Sequence, residues 1–181
     1  MSDIASLWNE LEELLATIAP TVLPTLNPPA TDCDLDLLES KTGLILPQDF
    51  RQSLKIHNGQ SDPSRLELLT EHGILLSCEE IAEAWRMLCE ILVEVNQTAD
   101  GSNWWNKSYL PIADYEGDYL CIDLAPGSYG SIHLHVHDST IERDIAATYT
   151  AWLSNARDVF RGRRFDDSQG FIDFWSFDTT T

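Results

Sequence analysis

Apolar and polar residues alternate along two stretches in the second half of the chain, residues 119–124 and residues 131–137. This period of two predicts β-strands that bury one face and expose the other. A shorter apolar run at residues 109–113 precedes them. The connections between these runs are rich in turn-forming residues and too short for a parallel crossover. The pattern therefore predicts a central antiparallel sheet of three strands.

Apolar residues recur every three or four positions in most other segments, which is typical of amphipathic helices. The predicted helices cover residues 3–19, 32–43, 47–58, 78–97 and 141–160, and residues 66–69 and 73–76 are predicted as short strands. Three prolines within residues 21–31 predict an extended linker. Helices packed around an antiparallel sheet predict an α+β fold.

A chain of 181 residues, 43% of them hydrophobic, is long enough to bury a sizeable core and favours a single domain. We divide it into an N-terminal helix with its linker (1–31), a core (32–164) and a C-terminal tail (165–181).

The charge of the chain limits its partners. It has 30 acidic and 11 basic residues, a formal net charge of −19. Such a charge repels nucleic-acid phosphates and anionic lipids, and it favours a basic protein partner. The cysteines show no metal-ligand spacing and suit a reducing compartment. The first residues have neither a basic nor an apolar stretch, so we expect no secretory leader, and no apolar run reaches the ~18 residues that a membrane span needs. These features predict a cytoplasmic protein without membrane or nucleic-acid contacts, and they leave its oligomeric state open.

Three histidines alternate along the last predicted strand: His133, His135 and His137, followed by Asp138. Projecting from one face, their imidazoles could approach a metal ion. Same-face neighbours on a strand are ~6.5 Å apart, however, which is wide for three ligands of one ion. No zinc motif accompanies them. We therefore expect these side chains on the polar face of the strand, and we predict no metal, no cofactor and no catalytic residue.

Two features are candidates for contact with a protein partner. One is the acidic corner, residues 114–118, which reads Asp-Tyr-Glu-Gly-Asp and is expected to form an exposed turn. The other is a set of exposed aromatic residues, since tryptophan and tyrosine are enriched at interface hot spots. Paired tryptophans could equally cover the sheet as part of the core. The candidate partner-binding residues are Trp104, Trp105, Asp114, Tyr115, Glu116, Asp118 and Tyr129.

Short motifs in a fixed order resemble those of the SUKH superfamily, which includes fungal cell-wall assembly regulators and many bacterial toxin-immunity proteins. They extend over residues 35–164 and are Leu46-Pro47, Phe50, His57-Asn58-Gly59, Ser77, Glu79-Glu80-Ile81, Trp85, Leu110-Pro111-Ile112-Ala113, Gly117-Asp118, Ile122-Asp123-Leu124, Pro126-Gly127, Gly130, Ile145-Ala146 and Trp152-Leu153. The first helix, the proline linker and the tail lie outside the resemblance. It implies a single SUKH-like α+β domain that binds other proteins and has no known catalytic residues.

The resemblance and the charge together favour an immunity protein that neutralises a basic toxin domain such as a nuclease, since an acidic protein can occupy a phosphate-binding surface. The alternative is a regulatory or scaffold protein of the cell-wall assembly regulator type. The least favoured alternative, from another class, is a metal-dependent enzyme that uses the strand with His133, His135 and His137.

Overall fold

The computed structural model describes residues 3–64, 69–98, 104–138 and 143–162. Within them lies one five-stranded sheet in which each strand pairs antiparallel with the next strand in chain order. Its strands are β1 (Ile74–Leu75), β2 (Tyr109–Tyr115), β3 (Asp118–Asp123), β4 (Ser131–His135) and β5 (Arg143–Ala146). The predicted antiparallel sheet is confirmed as β2, β3 and β4, with one further strand on each side.

The helices surround this sheet, so the predicted α+β fold is confirmed. They are α1 (Ile4–Ile18), α2 (Asp32–Thr42), α3 (Gln48–Leu54), α4 (Cys78–Thr98) and α5 (Tyr149–Arg161). A short 3-10 turn at Leu23–Thr25 interrupts the linker that was predicted as extended. The tail predicted for residues 165–181 and residues 66–68 of a predicted strand lie outside the described residues.

Local sequence signals set the helix ends. Thr31 and Asp34 form a capping box at the start of α2, in which each side chain accepts a hydrogen bond from the backbone N–H of the other residue. Ser77 and Glu80 form the same two hydrogen bonds at the start of α4. Gly43 ends α2 with a φ of 71°, a left-handed conformation that glycine adopts without steric cost.

One predicted helix begins too early. Residues 143–146 of the helix predicted at 141–160 form β5 instead, and residues 141 and 142 lie outside the described residues. The helix starts at Tyr149, because the Thr148 side chain accepts a hydrogen bond from the backbone N–H of Ala151 and so caps its first turn. Upstream of that cap, Asp144 and Ala146 pair with His133 and Ile132 of β4, so this segment continues the sheet.

Both faces of the sheet are buried. From Tyr119 to Asp123, every residue of β3 is at most 9% exposed. Side chains of α1, α3 and α5 gather with Ile112 on one face, and α4 lies over Tyr119 on the other. The expectation that β3 and β4 expose one face to solvent is therefore wrong, because α4 and the segment that precedes β2 cover that face.

A buried serine connects the helices of the first face. The Trp8 indole N–H donates to the Ser53 hydroxyl at 2.8 Å, and the Ser53 hydroxyl lies 2.9 Å from the Tyr149 hydroxyl. These residues belong to α3 (Ser53), α1 (Trp8) and α5 (Tyr149), and each is at most 2% exposed. One hydroxyl thus satisfies two buried polar groups.

Ser53→Ala should lower the free energy of unfolding by about 2–4 kcal/mol, because it leaves the indole N–H and the Tyr149 hydroxyl buried without this partner. Urea unfolding followed by circular dichroism measures the change. Ser53→Ala should cost less in a Tyr149→Phe background, where only the indole loses its acceptor. A loss below about 0.5 kcal/mol in the wild-type background would show that the hydroxyl does not join the helices energetically.

Candidate protein-binding surface

The acidic corner is the turn between β2 and β3. Glu116 and Gly117 have φ angles of 54° and 97°, and positive values at both central positions are what a type I′ hairpin turn requires. The Asp114 carboxylate accepts a hydrogen bond from the Gly117 N–H at 3.0 Å. Tyr115 is 49% exposed. The corner therefore presents carboxylates beside an aromatic ring on an ordered turn.

His137, two residues after the end of β4, contacts the corner through Asp118. Its backbone N–H donates to Asp118 Oδ1 at 2.9 Å, and its Nδ1 lies 2.6 Å from the same oxygen. The hydrogen bond to Asp118 raises the pKa of His137, and the charges of Asp118 and Asp138 add to the effect. No local sequence pattern indicates this pair, because residues 19 positions apart meet only when the register of β3 and β4 is known.

The two tryptophans occupy different environments. Trp104 is half-buried at the same end of the sheet, and its indole N–H donates to the His137 carbonyl at 2.9 Å. Trp105 is 4% exposed, with its ring edge-on to His135 at a centroid distance of 5.1 Å. Trp104 is therefore available at the edge of the acidic corner, whereas Trp105 lies in the core, as the alternative interpretation has it.

Tyr129 lies apart from the other candidates, in the turn between β3 and β4. Its hydroxyl donates to the Ile45 carbonyl at 3.0 Å, and the two side chains are 49% and 66% exposed. The six residues of β3 separate this turn from the acidic corner, a span of roughly 17 Å at the rise of a strand. The predicted partner-binding residues therefore do not form one surface.

The histidine strip does not form an open face. His133 and His135 are 4% and 2% exposed, which corrects the expectation of a polar solvent face. The His133 ring lies 4.1 Å from that of Tyr109, and His135 has an edge-on contact with each tryptophan. No group of three or more histidine, cysteine or acidic residues within the described ranges could hold a metal ion. Likewise, the described helices include none that is long and apolar enough to cross a membrane.

Comparison with known proteins places the fold in a family. Residues 29–155 match the model of the SMI1 / KNR4 family (SUKH-1). The chain is 28% identical to a glucan synthesis regulatory protein of Neurospora crassa, in an alignment that covers 91% of this chain and 40% of that protein. It is also 28% identical to the cell wall biosynthesis/cell cycle regulator smi1 of Schizosaccharomyces pombe, over 69% of this chain and 30% of that protein.

A third similarity is to human F-box only protein 3, with 39% identity over 84% of this chain and 33% of that protein. The chain thus spans between 30% and 40% of the length of these three relatives.

His137 should titrate above its ordinary pKa of 6.5, because the Asp118 carboxylate stabilises the imidazolium. Such a raised pKa means that the pair stabilises the fold fully below the unfolded value and that this contribution is lost as the pH rises through the folded value. Proton NMR of the imidazole signals measures the midpoint, and Asp118→Asn should lower it. His72 is an internal comparison, since burial lowers its pKa. A His137 midpoint at or below that of His72 would contradict the pairing.

Proposed function

Since this chain belongs to the SMI1 / KNR4 family (SUKH-1), we propose that it is a regulatory domain of the cell-wall assembly regulator type, and that it acts by binding another protein. The observation that carries the proposal is that relatives aligned with most of the chain are named as regulators of glucan synthesis and of cell wall biosynthesis. They are not named as enzymes.

The range of relatives also supports a binding role. A stretch similar to most of this chain is found in wall regulators and in F-box only protein 3, and it makes up a minor part of each. A fold that recurs in proteins with different names contributes to each through a site on its surface. A surface for protein partners is a contribution that suits all of them.

The acidic corner and its surroundings suit such a surface. Asp114, Glu116 and Asp118 lie within one hairpin turn, and the whole chain carries a net charge of −19. A field of this sign accelerates the approach of a basic partner. The exposed ring of Tyr115 and the half-buried ring of Trp104 would then supply apolar contact, which determines affinity more than charge does.

The relatives' names favour this regulatory role over the immunity role that the net charge and the family resemblance suggest. Neutralisation of a toxin stays a prediction, as does the cytoplasmic location. The metal-dependent alternative loses two of its three proposed ligands, because His133 and His135 lie under aromatic rings in the core.

Asp114→Asn/Glu116→Gln/Asp118→Asn should slow association with the partner by about three- to tenfold at low salt and much less at high salt, because it removes charge while preserving shape. The partner is first identified among proteins crosslinked to the tagged chain in its own cells. Association rates with the purified partner are then measured from low to high salt.

The matched control is Asp3→Asn/Glu13→Gln/Glu79→Gln, which changes the net charge by the same amount. Its three positions are exposed and lie just before α1 (Asp3), on α1 (Glu13) and near the start of α4 (Glu79). It should leave the association rate close to that of the wild type. Equal rates for the corner variant and the wild type at every salt concentration would contradict a role for the corner. The absence of any protein specifically crosslinked to the chain would contradict the binding function itself.

A further inference from the structure

A groove of about 420 Å³ lies between α4 and the sheet, next to the acidic corner. We call it the α4 groove. Its apolar surface comes from Leu76, Ala84 and the buried Tyr119, together with Met87, which is 40% exposed. Its size falls within the range of roughly 300–1,000 Å³ that is common for ligand sites. A concave surface with an accessible methionine can bind an apolar side chain of a partner.

The rim of the α4 groove is strongly acidic. Four carboxylates line it, from Glu80, Glu83, Glu90 and Asp114, and Arg86 is the cation among its described lining residues. The Arg86 guanidinium already pairs with the Glu90 carboxylate at 2.6 Å.

The carboxylates differ in the hydrogen bonds and ion pairs that they already form. Glu80 accepts hydrogen bonds from the backbone and side chain of Ser77, so it caps α4. Glu83 forms no ion pair with another described residue, and it lies on the turn of α4 next to Met87. Glu83 therefore offers a negative charge beside the exposed thioether.

We propose that the α4 groove binds a short basic peptide segment of the protein partner. An apolar side chain of that segment rests against Met87, and flanking lysine or arginine side chains pair with Glu83 and Asp114. Methionine is flexible and polarisable, so it adapts to the shape of such a side chain. The acidic rim repels phosphate groups and acidic peptides, which would leave carboxylates unpaired. This inference rests on the proposed function, and Asp114 joins the groove to the acidic corner.

The two methionines of the chain, Met1 and Met87, allow a direct test. The full chain is labelled with [methyl-¹³C]methionine, and the Met87 signal is assigned with Met87→Leu. The probe is the peptide acetyl-Lys-Lys-Leu-Lys-Lys-amide, and the two comparison peptides replace all lysines by glutamine or the leucine by serine. The Met87 methyl signal should shift and saturate with the probe. The glutamine peptide should leave it unmoved, and the serine peptide should need a higher concentration.

Variants separate the groove from the overall charge. Glu83→Gln should weaken binding of the probe about two- to fivefold, the factor expected of one partly exposed ion pair. Glu13→Gln makes the same charge change at an exposed position of α1 and should bind like the wild type. Circular dichroism checks that both variants keep the helical content of the wild type.

The contradicting results are distinguishable from failure of the proposed function. A Met87 signal that stays still with the probe, or equal binding by Glu83→Gln and Glu13→Gln, would overturn the groove as the binding site. If binding were instead lost only in Glu116→Gln/Asp118→Asn, the basic segment would bind the acidic corner, so the groove would be excluded while the proposed function would stand. The crosslinking experiment in cells tests that function independently of this peptide.

Discussion

The burial of β3 on both faces is the constraint on which the rest of the structure depends. A strand without a solvent face needs a cover on each side, and each fully buried aliphatic or aromatic side chain contributes roughly 1.5–3 kcal/mol to stability. On one side the cover is α1, α3 and α5, joined by hydrogen bonds at the Ser53 hydroxyl. On the other side the cover is α4 and residues 104–108, the segment that precedes β2. The Trp85 indole of α4 joins the two, since it donates to the Lys107 carbonyl at 3.0 Å.

This constraint explains the principal differences between the prediction and the structure. The alternation along β4 correctly indicates a strand, but it does not reveal that aromatic rings cover the histidine face. Cross-strand neighbours share a face, so the pairing of Tyr119 with His135 places that histidine under α4 and the tryptophans. Ile145 and Ala146 likewise carry no local signal that separates a strand from a helix start, because the partner strand is what decides. In contrast, the helix caps at Thr31 and Ser77 depend on residues three positions apart, a spacing that is visible in the sequence without knowledge of the fold.

The same distinction applies to the candidate site. The acidic corner was predictable because glycine and acidic residues within five positions specify a turn. The contact of Asp118 with His137, the separate location of Tyr129 and the α4 groove depend on register and on helix packing, which no short motif encodes. Together these features describe a domain that is similar in sequence to wall regulators. Its acidic corner and the adjoining α4 groove are our candidate for the protein-binding surface.

Site-specific photocrosslinking in the chain's own cells tests this account most directly. Benzoylphenylalanine is placed in turn at Tyr115, in the acidic corner, at Met87, in the α4 groove, and at Thr17, an exposed position of α1. The account predicts that positions 115 and 87 form adducts with the same protein after irradiation and that position 17 does not. Adducts from position 17 alone, or equal labelling from all three positions, would contradict the claim that the acidic corner and the α4 groove bind the partner.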